Sequence, residues 1–456
     1  MAEANMNLNR FTSAMLAMAA GLIIAGCRGI PAPGEKRARD DFNSVAVKFC
    51  PDHQPPQLPA LAPDSSLSNY LAVALLNSPA VAAAFHDWSA SVENITVTRS
   101  LPDPQLSLQA YIQNRITSLM PGFAWNFPGP GKLKAKGRQA DAQSEGKYFA
   151  FESAVLQAAF NLKTAYYKLG LLDEQLRLNR ESLSLLGNQE RALLAQNAAG
   201  SASLADVLRV QSGLDRLRTE LANLEDSHGS ALANFKAALG LTPEQPNPPA
   251  PAHFESAGNI PDADELFRAA LTNNPQLKAM EADVRAAEAG IAAAYRERVP
   301  DFSVGSSVDV KASPWLYWPQ LSMSLPIWRD KLAAELAQAQ ANKLAAQSRL
   351  KSGQIDLAVN FAEKSFACRQ SNRNLALLRD ELIPKARQSL EIVRASYRAG
   401  TMDFSALTDA ERTLLDLRLE AAEAQTDRDI ASADLSLMVA GIAPANSPLL
   451  SKTTQP

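Results

Sequence analysis

The chain has 456 residues, 46% hydrophobic but only 6% aromatic, so alanine and leucine carry most of its apolar mass, a bias suited to long packed helices. Lysine plus arginine number 45 against 48 for aspartate plus glutamate, and the net charge of −3 lacks the basic excess of a general nucleic-acid binder. Past the N-terminus no run of eighteen apolar residues occurs and the mean hydropathy is −0.16, which excludes a bundle of transmembrane helices.

Arg10 precedes an apolar stretch, Phe11 to Ala25, that closes in Ile24-Ala25-Gly26-Cys27. A charged start, an apolar segment and small residues before a break predict an export signal over residues 1–26. Small residues at both positions before Cys27 match a bacterial lipobox. A lipobox implies a diacylated Cys27 and a lipid-anchored protein, and Arg28 stands where aspartate favours inner-membrane retention, so the outer membrane is expected. Seven prolines between Pro31 and Pro63 make residues 27–64 a Pro-rich arm that reads as an extended linker, and six between Pro243 and Pro261 make a second linker over residues 243–261. Cys50 in the arm and Cys368 in a helical pattern are expected to be free or buried thiols.

After the arm come short patches of alternating character. Leu106, Leu108, Ala110 and Ile112 alternate with Gln105, Ser107, Gln109 and Gln113, and a weaker patch runs from Gly122 to Pro128. Period-two alternation predicts strands with one apolar and one polar face. Residues 131–242 then hold no proline, and Val155, Leu162, Leu169, Leu176 and Leu183 fall seven apart. A helix over residues 131–198 would span roughly 100 Å at 1.5 Å per residue. Past Gly200 the seams Val207-Leu214-Leu221 and Val210-Leu217-Leu224 predict a returning helix. The second half repeats the plan. Phe302, Val304, Val308 and Val310, then Leu321, Met323, Leu325 and Ile327, alternate with polar residues, and Phe361, Cys368, Leu375 and Leu382 recur at seven after a four-residue step from Leu357, a stutter.

The two halves match at marker residues, with a shift that drifts by a few residues. Pro79 meets Pro275 at an offset of 196, Pro128 meets Pro326 at 198, and Gly200 meets Gly400 at 200. This internal duplication predicts a first repeat over residues 65–242, a second over 262–442, and a disordered tail from 443 to 456. The fold expected is mainly α with a small β part: long coiled-coil helical hairpins and four strands per chain. Tyr111, Trp125, Phe127, Trp315, Tyr317, Trp318 and Trp328 lie in or beside the strand patches, as in the interfacial girdle of an outer-membrane barrel. Four strands cannot close a barrel around water, and open edges cannot face lipid, so three copies would supply twelve strands as a homotrimer. That is a pore.

With these features the sequence resembles the TolC-like outer-membrane efflux channel family over about residues 65–442. The resemblance rests on Leu-Leu-Asn-Ser-Pro79, Leu-Thr-Asn-Asn-Pro275, Leu-Ser-Met-Ser-Leu-Pro-Ile-Trp328, Ala-Gly-Ser201, Tyr-Arg-Ala-Gly-Thr401 and Leu407-Thr-Asp-Ala-Glu-Arg412. Phe-Pro-Gly-Pro-Gly-Lys132-Leu resembles the branch partnered with heavy-metal pumps. The resemblance implies a trimeric twelve-stranded barrel continued by a helical tunnel. It also implies helix tips at Ala199, Gly200, Ser201, Ala399, Gly400 and Thr401 that meet a periplasmic adaptor driven by an inner-membrane pump of the resistance–nodulation–division type. In the family, acidic residues six and nine positions past the second tip glycine constrict the closed aperture. Nine past is Asp409, six past is Ala406, Asp206 holds that place only in the first copy, and Asp403 lies nearer the tip.

No nucleophile elbow or paired metal-ligand motif occurs, Gly129-Pro-Gly-Lys132 lacks the spacing of a phosphate loop, and His228 continues a helical seam as a packing residue. The chain is therefore expected to be no enzyme and to need no cofactor or metal. Competing readings are the exit channel of a type I protein or peptide secretion system, a structural coiled-coil envelope lipoprotein without strands, and a periplasmic solute-binding monomer.

Overall fold

The computed structural model describes residues 32–49, 57–112, 116–257 and 263–439. The export signal, Cys27, Cys50 and residues 443–456 lie outside them. In chain order the elements are α1 (Pro33–Phe49), α2 (Leu67–Asn77), α3 (Pro79–Arg99), β1 (Gln105–Ile112), β2 (Ile116–Phe127), α4 (Lys132–Ala198) and α5 (Leu204–Ala238). There follow α6 (Ala263–Asn273), α7 (Pro275–Arg296), β3 (Phe302–Asp309), β4 (Leu316–Met323), α8 (Arg329–Ala376), a π-helical turn (Leu377–Leu382), α9 (Ile383–Arg398) and α10 (Phe404–Val439). The predicted mix of long helices and four strands is present, so the strandless coiled-coil reading fails.

The chain divides into two compact units that do not coincide with the two sequence repeats; each draws on both. One holds Val92–Asp141, Ala289–Leu336 and the start of α1; the other holds the remaining helical segments. In the first unit the four strands form one antiparallel sheet in the order β1-β2-β3-β4, so the central β2–β3 ladder joins the halves of the sequence, pairing Phe127 with Phe302 and Trp125 with Val304. β2 is longer than the weak Gly122–Pro128 pattern indicated, because it begins at Ile116. β4 lies earlier than the Leu321–Ile327 alternation, ending at Met323. Ser324 N–H already donates to Asp301 O (2.9 Å), and Pro326 has no N–H to extend a ladder.

The long proline-free stretch forms α4, a 67-residue helix from Lys132 to Ala198. Its predicted seam is inward: Val155, Leu162 and Leu169 are completely buried and Leu176 nearly so. Removing such a leucine from water is worth about 2 kcal/mol, so the seam, not helix propensity, holds the rod together. On α5, Val207, Leu214 and Leu221 are buried as their spacing requires. Cys368 is a free, buried thiol; burial pushes its pKa up and keeps it unreactive. Leu382 does not continue its seam; Leu378 is buried in its stead.

The Pro-rich arm is not the extended linker its prolines indicated. Residues 33–49 form α1, with Pro33 in the first turn, where its missing N–H costs nothing. Within the second unit, Phe42 and Phe49 of this helix stack on Phe85 (5.1 and 4.7 Å between centroids), and Phe42 also meets Trp88 edge-on. In the first unit, the carboxylate of Glu35 is almost fully enclosed. It accepts from Thr96 Oγ1 (2.6 Å) and from Arg99 through both Nε and Nη2. Arg39 joins the cluster, pairing bidentately with Glu93 (2.8 Å each). Burial alone would raise the pKa of Glu35, but the bonds from Arg99 and Thr96 and the guanidinium charge outweigh it and hold the pKa at about 2.

The second Pro-rich stretch is irregular over its described residues, and it is pinned. Glu255 N–H donates to Tyr166 Oη (2.9 Å), and Ala257 N–H donates to Asp429 Oδ1 (3.1 Å).

Candidate functional site

Strand register decides what the sheet can do. Residues directly opposite in an antiparallel pair share a face, so Leu106 lies with Phe123, Leu108 with Pro121, and Trp125 with Val304, which in turn lies with Leu321. That face is apolar on all four strands. The other carries Gln105, Ser107, Gln109, Asn126, Ser303, Ser307, Gln320 and Ser322. The apolar face is not covered by any of the described residues: Leu106 is 88% exposed, Leu108 69% and Leu321 78%. Isolated soluble sheets do not leave a whole apolar face in water. Both outer strands, β1 and β4, also have one unpaired edge within the described sheet.

The predicted girdle aromatics divide by this register. Trp125, Phe127 and Tyr317 stand on the apolar face, whereas Tyr111 and Trp318 stand on the polar one. Trp315 and Trp328 lie just outside β4, on either side of it. Two groups result. Trp125 and Phe127 sit where β2 approaches its helix, and Tyr111, Trp315, Tyr317 and Trp318 sit toward the opposite turns.

Below the sheet, in the same unit, an ion-pair knot fixes the start of α4. Lys132 is buried and reaches Asp301 (2.9 Å) and Glu297 (3.1 Å), while Asp301 also accepts the Gly129 N–H (2.7 Å). The Gly129-Pro-Gly-Lys132 segment is thus a strand-to-helix corner, with its lysine committed to carboxylates rather than phosphate.

In the helical unit, the two predicted tips are near copies. Ser201 N–H donates to Gln196 O (2.8 Å) and Gly200 N–H to Asn197 O (2.9 Å); Thr401 N–H donates to Ser396 O and Gly400 N–H to Tyr397 O (3.0 Å each). This is the reversal that needs a left-handed residue, and both glycines have φ of +73°. Ala199, Gly200, Ser201, Ala399, Gly400 and Thr401 are all exposed, and a side chain at either glycine would meet open space. Ser203 caps α5 by accepting the Asp206 N–H. Behind the tips Leu193, Val207 and Leu214 pack with Leu390, Phe404, Leu407 and Leu414, so the hairpins of the two repeats share one core.

Asp403 and Asp409 are exposed. Asp409 borders a groove of about 970 Å³ also lined by Arg209, Arg394 and Arg412. His228 packs beside Asp173 (3.4 Å) on the flank of α4. Among the described residues no cluster of three or more metal-ligating side chains forms.

An antiparallel sheet with one lipid-compatible and one water-compatible face, open at both edges, in a chain that also folds two long helical hairpins, defines the outer-membrane channel class of fold. Solved structures agree. The MtrE outer membrane channel of Neisseria gonorrhoeae matches at a TM-score of 0.71 with 17% identity over 86% of this chain and 98% of that one. CusC matches at 0.70 with 16% identity over 83% and 93%. In sequence, the cobalt-zinc-cadmium resistance protein CzcC of Cupriavidus metallidurans is 24% identical over 56% of this chain and 61% of its own length. The probable outer membrane lipoprotein SilC of Salmonella typhimurium is 23% identical over 62% and 63%. The chain thus spans less than two thirds of these curated relatives. The model of the outer membrane efflux protein family matches residues 71–241 and 266–441. The chain belongs to that family, which is one of channels and not of enzymes.

Proposed function

We propose that three copies join β1 to β4 edge to edge, closing a twelve-stranded barrel whose apolar face meets outer-membrane lipid and whose Gln- and Ser-rich face lines water. The open-edged, two-faced sheet carries this reading, because none of the described residues covers its apolar side. The helical hairpins would continue the barrel as a tunnel into the periplasm. The chain would then act as a passive exit duct, docked at its tips to a periplasmic adaptor and driven by an inner-membrane pump of the resistance–nodulation–division type. Heavy-metal cations are the substrate class that the names of the relatives support: a cobalt-zinc-cadmium resistance protein and a cation efflux system protein. Selectivity would reside in the pump. Trp125, Phe127, Trp328, Trp315 and Tyr317 would mark the two lipid interfaces, with Tyr111 and Trp318 turned toward water. Asp403 and Asp409 would stand at the periplasmic aperture, opened when adaptor binding biases the tips outward.

Lipidation of Cys27 fits the same placement. Glu35 is tied to Arg99, the last residue of α3 before the sheet, and eight extended residues reach no more than about 28 Å. A lipid on Cys27 would therefore insert near the barrel. Cys27→Ser is expected to leave trimers embedded in the outer membrane, because the barrel is the principal anchor; release of soluble chain would overturn the barrel.

The channel reading is tested by conductance of the purified protein in planar bilayers, where a non-conducting monomer would refute it. Tip docking has its own test. Proline at position 400 can neither adopt φ near +73° nor donate to Tyr397 O. Gly400→Pro is expected to abolish efflux-dependent resistance while trimer and membrane location persist, and full resistance would remove the tips from the mechanism.

A further inference from the structure

The two repeats carry the same rod of helix, but only the second contains a π-turn, and the sequence register shows why. Above the turn, buried or half-buried positions of the two rods match 199 apart: Leu162 with Phe361, Tyr166 with Ser365, Leu169 with Cys368, Leu176 with Leu375, Asn179 with Leu378. Below it they match 200 apart: Leu183 with Ile383, Leu186 with Ala386, Leu193 with Val393. The step therefore falls inside Leu377–Leu382. Arg180-Glu181 of α4 corresponds to Arg379-Asp380-Glu381, which makes Asp380 the additional residue. In an uninterrupted α-helix one additional residue would turn everything beyond it by 100°. The π-turn absorbs it, as the Ile383 N–H reaching back to Leu378 O shows. Inward positions accordingly step 375, 378, 383, 386, 390, with a single stride of five at the turn.

The backbone is weakest at the same place. Pro384 follows at once and offers no N–H to the Asp380 carbonyl. The turn also borders open space: Arg379, Ile383 and Arg387 line a groove of about 800 Å³ against α4 and α10. By contrast α4 runs through the equivalent stretch as regular helix.

We infer that the Leu377–Leu382 turn is a built-in joint, made by the additional residue Asp380, at which α9 can shift its backbone hydrogen bonds without misphasing its inward positions. The inference rests on the channel reading and places the flexing point of this helix within six residues. A π-turn can travel along a helix by exchanging one set of backbone bonds for the next, giving α9 discrete rather than continuous settings.

The test deletes Asp380 in the full-length protein in bilayers. Inward positions would then run 375, 378, 382, 385, 389 in a regular three-four pattern, so the variant is expected to fold and trimerise with a thermal midpoint unchanged or raised. Deleting Ser184, an exposed residue of α4 with no turn to absorb the loss, is expected to misphase the seam and lower the midpoint clearly. In the wild type, the Leu382 and Ile383 amides are expected to exchange with deuterium at least about tenfold faster than those of Ser182 and Leu183, and the Asp380 deletion to abolish the difference. Opening frequency under voltage should fall about tenfold in the deletion variant, with the conductance of the open state unchanged. Equal exchange in the wild type, unfolding of the Asp380 deletion, or gating indistinguishable from wild type would each overturn the joint. A wild-type protein that never conducts would instead overturn the channel reading.

Discussion

Leu108→Lys is expected to prevent assembly in the outer membrane, whereas Gln109→Lys, one residue along the same strand, is expected to be tolerated. Both side chains are exposed in the single chain, so burial within the protein cannot distinguish them. Register does: Leu108 lies opposite Pro121 on the apolar face and Gln109 opposite Met120 on the polar one. A lysine facing the hydrocarbon midplane costs about 2–4 kcal/mol per chain, and a trimer would carry three. A lysine facing a water-filled lumen costs almost nothing and alters ion selectivity. Trimer yield from outer membranes after urea washing separates the outcomes. Equal yields would mean that the two faces meet the same solvent, and the barrel would be lost with them.

Arg99→Ala is expected to release α1 and lower stability by about 3 kcal/mol, because it strands the enclosed carboxylate of Glu35 with only Thr96 and a longer contact to Arg39. Faster trypsin cleavage within residues 33–49 and a lower melting temperature would register the change. Arg99→Ala combined with Glu35→Gln should recover part of the loss, since no charge is then left buried. The same pair predicts a pH dependence. The pKa of Glu35 is depressed from 4.5 to about 2 by folding, so its contribution is complete above pH 4.5 and is lost as pH falls toward 2. Acid release of α1 should therefore begin below pH 4.5 in the wild type and be absent from Glu35→Gln. An arm equally protected in Arg99→Ala would show that the aromatic contacts of Phe42 and Phe49 hold it alone.

Much of this architecture was legible before any coordinates. Heptads at Val155, Leu162 and Leu169 gave α4 its inner seam, and alternation gave β1 and β3, because period is a property of the sequence that tertiary packing merely uses. The tip glycines were legible for a different reason: a helix reversal needs positive φ, and Gly200 and Gly400 stand at matched places. Three features escaped. The start of β2 was hidden by Thr117, Ser118 and the Pro121-Gly122 pair, which break an alternation that strand pairing sustains regardless. Helix α1 was masked by its prolines, although Phe42, Val45 and Phe49 already had helical spacing. The ion-pair knot at Lys132 needed Glu297 and Asp301 to arrive from the other half of the chain, and no local pattern announces such a meeting.

The β2–β3 ladder has a temporal consequence. Phe127 must wait for Phe302, so the sheet cannot take shape during synthesis until nearly two thirds of the polypeptide exists, and a truncated first half would hold a bare hairpin with nothing to lean on. For the barrel proposed above, insertion into lipid would then be the last act of maturation rather than the first, with both halves of the chain needing protection until they meet.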